Sequence, residues 1–122
     1  MRWRALPLLL CAGALPAAAQ DCANATTQTE MNACAAAAYQ GADDRLNGVY
    51  KQAAAAARLS GGEAPAQLLA AQRAWIGYRD AACAAEAGLY AGGTMQPLVQ
   101  ANCMKTLTER RTEDLRAAYL SN

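Results

Sequence analysis

The sequence predicts an all-α protein, a small antiparallel bundle of three to four helices with two disulfides. Three observations carry that expectation. Small and apolar residues recur at helical spacing over long stretches, and no segment sustains the two-residue alternation of a strand. Short glycine-rich breaks separate those stretches, which is how antiparallel neighbours in a bundle are joined. Four cysteines, Cys22, Cys34, Cys83 and Cys103, follow an N-terminal segment with the features of an export signal. An even set of thiols in a short exported chain reads as disulfides.

The export signal is expected at residues 1–19. Arg2 and Arg4 give a basic start, Ala5 to Leu15 are apolar, and Ala17-Ala18-Ala19 has the small-x-small pattern of a cleavage site. The apolar run falls short of the roughly 20 residues that a membrane-spanning helix needs. Leu10 before Cys11 and Asp21 before Cys22 both stand where a lipoprotein signal wants a small residue. The expected product is therefore residues 20–122, one helical domain, periplasmic or secreted and not a lipoprotein, with no membrane insertion after the signal is removed.

The first helix is expected from Gln28 to about Leu59, capped by Thr26 or Thr27. Thr27 with Glu30 three residues on fits a capping box. Met31, Cys34/Ala35, Ala38, Ala42, Leu46, Val49 and Ala53 mark its inward stripe. Gly41 and Gly48 each cost about 1 kcal/mol relative to alanine, and either could mark a bend or a close helix contact. A break at one of them turns three helices into four, and the sequence leaves both counts open. Ser60-Gly61-Gly62 ends the segment. A second helix is expected from Ala64 to Ala87, with Pro65 in its first turn and Leu68, Leu69, Gln72, Trp75, Ile76, Arg79 and Cys83 inward. Gly88 to Thr94 reads as a loop. A third helix, Pro97 to Leu120, turns Met104, Leu107, Thr108, Arg111, Leu115 and Tyr119 inward.

Composition explains the staples. Alanine supplies 33 of the 122 residues and phenylalanine none. Alanine buries little area, and burial is worth about 25 cal/mol per Å², so a core this thin gains from covalent support. Without Arg2 and Arg4, nine basic residues face ten acidic ones, a net charge of −1. That balance carries no electrostatic footprint for nucleic acid.

Catalytic chemistry finds few residues to use. The chain has no histidine, the commonest general base and metal ligand. No cysteine pair has CxxC spacing, no glycine-rich phosphate loop opens a helix, and Ser60 and Ser121 lie in no nucleophile motif. No cofactor or metal is expected. Asp43, Asp44, Asp80, Glu109 and Asp114 sit among arginines at helical spacings, as ion pairs do. Arg79 stands out because it shares a face with Gln72, Trp75 and Cys83. A buried charge needs a partner, and Tyr39, Asp43, Asn47 and Tyr50 lie along one face of the first helix. Asp43–Arg79 is the expected pair, with Arg111 reaching the same polar layer, which is expected to fix helix register, a ligand pocket built on it being the alternative.

The residues together resemble a known family. The pattern runs from Cys22 through Thr27-x-x-Glu30-Met31-Asn32-x-Cys34 to Tyr39, Asp43-x-x-Leu46-Asn47 and Tyr50. It continues through Gln72-Arg73-Ala74-Trp75-Ile76-x-Tyr78-Arg79-Asp80-x-x-Cys83 and Gly92-Gly93-Thr94. It closes on Cys103 and Thr108-x-x-Arg111-x-x-x-Leu115. This is similar to the bacterial lysozyme inhibitor LprI-like domain family, with Thr94 where the pattern usually has serine. The resemblance implies an exported helical domain with two disulfides that binds a lysozyme directly and is not an enzyme. The other functional class open to such a chain is a periplasmic interaction or stress-protective protein with a different target.

Of three disulfide pairings, the preferred one is Cys22–Cys34 with Cys83–Cys103. The first would fold the N-terminal segment back over the first helical turns, and the second would close the glycine loop. Crossed pairings would need Cys34 and Cys83 to face each other, which their stripe positions do not exclude. Under the inhibitor reading the candidate binding loop is Leu89, Tyr90, Gly92, Gly93, Thr94 and Met95, with Tyr90 as its aromatic anchor.

Overall fold

The computed structural model describes residues 21–121. The expected export signal at residues 1–19 and Cys11 lie outside the described residues. Three helices form the bundle: α1 (Gln28–Ser60), α2 (Ala64–Gly88) and α3 (Gln96–Tyr119), preceded by a single 3-10 turn at Cys22–Asn24. No strand occurs among the described residues. Asn32 near the start of α1 meets Thr94 just before α3, and Arg45 meets Glu109. So α1 and α3 run parallel and pack side by side, and α2 returns antiparallel against them, chiefly against α3.

Each boundary has a local cause. Thr27 caps α1: the Glu30 amide donates to Thr27 Oγ1 at 3.2 Å, while the amides of Thr26 and Thr27 donate to Glu30 Oε2 at 2.9 and 3.1 Å. These reciprocal bonds satisfy donors that the first turn leaves unpaired. At the far end Gly61 adopts φ +74° and its amide donates to Ala57 O. That left-handed conformation suits glycine and stops the helix. Pro65 and Pro97 lie in the first turns of α2 and α3, where proline's missing N–H costs no helical bond.

α1 runs unbroken through Gly41 and Gly48, about 50 Å at 1.5 Å per residue. Neither glycine interrupts it, and neither marks a close helix contact. A Cβ at Gly48 would meet nothing within 4 Å, and one at Gly41 would meet only Arg45 of the same helix at 3.6 Å. The propensity cost is overridden by packing, since α1 lies against α3 more extensively than any other pair of helices touches.

The apolar core occupies one end of the bundle. Leu46, Val49, Ala53, Ala57, Leu68 and Leu115 form a buried cluster, with Tyr50, Trp75, Tyr119 and Leu120 packed against it. Three residues of the expected inward stripes face outward instead: Ala38, and Leu69 and Ile76 at 41% and 39% exposure. α2 touches α1 least, so the flank of α2 that carries Leu69 and Ile76 stays half uncovered.

Candidate functional site

Midway along the bundle a polar layer joins all three helices around Arg79. Its side chain is 8% exposed, and Nη1 lies 3.3 Å from Asp43 Oδ1 while Nε donates to Asp80 Oδ1 at 3.0 Å. Nη1 also reaches Thr108 Oγ1 at 3.4 Å. The guanidinium stacks near two rings, 5.5 Å from the centroid of Tyr39 and 5.2 Å from that of Trp75. Arg111 extends the layer, donating through Nε to Gln72 Oε1 at 3.0 Å and lying 5.9 Å from the Trp75 ring centroid. Burial pushes the Tyr39 phenol above its ordinary pKa, against the pull of the neighbouring Arg79 charge.

Two residues expected in this layer lie at its margin. Asn47 is exposed and meets only Asp43, at 3.5 Å. Tyr50 packs against the apolar cluster. Conversely, Thr108 supplies a buried hydroxyl that the sequence marked as inward without giving it a task. The layer is a closed set of mutual partners: no buried side-chain polar atom among the described residues lacks a hydrogen bond. Its cation is committed to two carboxylates, a hydroxyl and two rings.

The opposite end of the bundle is built by the cysteines. Cys22 bridges Cys34 and Cys83 bridges Cys103, with Cα atoms 5.6 and 5.5 Å apart. The first bridge holds the 3-10 turn against the side of α1. The second ties the end of α2 to the start of α3 across the intervening loop.

That loop is ordered by its own bonds. The Gly93 amide donates to Tyr90 O at 3.0 Å and the Ala91 amide to Gly88 O at 3.2 Å. Gly92 sits at φ +79°, a conformation that an L side chain adopts only with strain. A Cβ on Gly93 would approach Tyr90 O to 3.2 Å. From α1, Asn32 Nδ2 donates to Thr94 O at 3.0 Å. Leu89, Tyr90 and Met95 are 82%, 43% and 44% exposed. With Ala91, Gly93 and Thr94 they line one open depression of about 410 Å³.

Among the described residues, no group of three or more His, Cys, Asp or Glu side chains is placed to hold a metal. No helix among them is long and apolar enough to cross a membrane. Fold and site together define a small, disulfide-stapled helical module that displays a hydrogen-bonded loop at one end. Comparison with known proteins gives that module its family. The chain belongs to the lysozyme inhibitor LprI family, whose model matches residues 19–115. It is also 40% identical over 126 residues to an uncharacterized protein of Rhizobium meliloti (strain 1021), covering 92% of this chain and 90% of that one. No solved structure matches it. Two disulfides and this membership suggest an extracytoplasmic protein.

Proposed function

We propose that this chain is an exported lysozyme inhibitor that acts by direct binding and not as an enzyme, with Leu89 to Met95 as the contacting loop. The observation that carries the loop assignment is where the exposed apolar surface lies. Three of the seven exposed large hydrophobic residues among those described, Leu89, Tyr90 and Met95, fall in this one stapled segment. Of the others, Leu59 lies on α1 and Tyr78 on α2, and only Leu69 and Ile76 share a flank, two turns apart on α2. Clustered exposed apolar groups mark contact surfaces, whereas scattered ones are ordinary.

The chemistry of the target fits such a loop. A lysozyme cleft holds two catalytic carboxyl groups, so a blocker gains from an aromatic anchor placed there and from backbone donors. Tyr90 supplies the first. For the second, the amides of Gly92, Thr94 and Met95 have no acceptor among the described residues. Holding the loop rigid before binding reduces the entropy lost on association.

The test is a lysis assay. Purified residues 20–122 should slow lysozyme digestion of a bacterial cell-wall suspension, and Tyr90→Ala should weaken that inhibition about tenfold or more, as loss of an aromatic hot spot does. An absence of inhibition at large molar excess over several lysozyme classes would refute the reading.

A further inference from the structure

The bond from Asn32 to the loop joins segments 62 residues apart in the chain. Asn32 is itself fixed, because Gln28 Nε2 donates to its Oδ1 at 2.8 Å. That bond leaves the Asn32 amide one way round, with Nδ2 toward Thr94. Gln28 is the first residue of α1, next to the Thr27 cap, and Cys34 lies two residues beyond Asn32. The relay is therefore rooted in a turn of the first helix held by both its cap and a disulfide.

The consequence for the loop follows from peptide geometry. The C=O of Thr94 and the N–H of Met95 belong to one planar trans peptide, and no cis bond occurs among the described residues. In a trans peptide the two groups point in opposite directions. Drawing the Thr94 carbonyl toward α1 turns the Met95 N–H away from it, on the exposed side of the loop. Resting on the inhibitor reading above, we infer that Asn32, oriented by Gln28, is the positioning residue of the binding loop. It presents the Met95 amide and the neighbouring Tyr90–Met95 surface to a carboxylate of the lysozyme cleft.

The test uses Asn32→Asp and Gln28→Ala in the full mature chain. Asn32→Asp keeps the size and can still accept from Gln28, but it has no donor for Thr94 O. Three readouts are taken: inhibition of cell-wall lysis, amide hydrogen exchange in residues 90–96, and the global unfolding midpoint. Asn32→Asp should weaken inhibition about fivefold or more, the worth of one hydrogen bond, and speed loop exchange, while the midpoint and the exchange of α1 and α3 hold. Gln28→Ala should move the same readouts in the same direction by less, which separates positioning from a fold defect. If the wild-type protein inhibits and Asn32→Asp inhibits equally well, or if loop exchange is unchanged, the positioning role is overturned while the inhibitor function stands. If the wild-type protein inhibits no lysozyme, both are overturned.

Discussion

Truncating Arg79 is the sharpest test of the polar layer. Its guanidinium is 8% exposed, whereas its partners Asp43 and Asp80 are 30% and 54% exposed. Arg79→Ala therefore strands two carboxylates that water can partly reach, which places the cost below the 3–5 kcal/mol of a fully buried pair. It also removes two cation–π contacts, worth about 0.5–1 kcal/mol each, and leaves the buried Thr108 hydroxyl short of a partner. Together these give about 2–4 kcal/mol. Asp43→Ala should cost only about 1–2 kcal/mol, because Asp80 and Thr108 still hold the guanidinium. For a domain of this size 1 kcal/mol moves Tm by about 4–8 °C, so Arg79→Ala should lower it by about 10–25 °C. Thermal and urea unfolding followed by circular dichroism, without reductant, would measure both. A loss under about 1 kcal/mol for Arg79→Ala, or equal losses for the two variants, would refute the account of the layer as the element holding helix register.

Replacing both cysteines of one bridge by serine should cost about 3 kcal/mol for either pair, since separations of 12 and 20 residues close loops of similar entropy; urea titration of the two double variants measures it. Only loss of Cys83–Cys103 should also free the loop, read as faster proteolysis between Leu89 and Met95. Hydrogen bonds from the amides of Thr26 and Thr27 hold the Glu30 carboxyl below its usual range. Its stabilising effect is thus present above the unfolded value near 4.5 and is lost as pH falls through the lower folded value. The difference in stability between wild type and Glu30→Gln should accordingly shrink toward acid. For Tyr39 the folded pKa is raised, so stability should fall as pH climbs through and beyond 10.0, and Tyr39→Phe should remove that part of the alkaline decline. Gly92→Ala, at φ +79°, should cost about 1–2 kcal/mol of backbone strain or rearrange the loop, read as a lower unfolding midpoint or weaker inhibition.

How far the fold was legible depended on which physical effect decided each element. The three helices followed from spacing, from the Thr27–Glu30 cap and from Ser60-Gly61-Gly62, all local signals. Whether α1 breaks at Gly41 or Gly48 was not legible, because a propensity cost of about 1 kcal/mol per glycine competes with packing on a helix remote in sequence. The misplacement of Leu69 and Ile76 has a similar origin. A helical period shows which residues share a face but not how wide a strip the neighbours cover, and α1 covers little of α2. In the polar layer a charge on an apolar stripe called for a partner, and Asp43 was within reach of that argument. The tasks of Thr108 and Asn32 were not, although both stand in the family pattern. Each task depends on a contact 29 or 62 residues away that no local rule encodes.

The position of the staples follows from where the apolar side chains run out. Every member of the buried cluster lies toward the end where α1 finishes and α2 begins, from Leu46 to Leu68 and back at Leu115. On the loop side of the Arg79 layer the buried residues are Ala35, Ala42, Cys83 and Ala87. Burying an alanine contributes a small fraction of what a leucine does, so that end could not be held by burial alone. Both disulfides are found there, with the Asn32–Thr94 bond between them. The buried apolar cluster includes no residue of the exposed loop that carries Leu89, Tyr90 and Met95. The Cys83–Cys103 bridge that spans the loop and one hydrogen bond from α1 hold it instead. The same reasoning makes the loop end the more sensitive to reduction: without the bridges, the apolar end retains its packing while the proposed binding surface loses its geometry first.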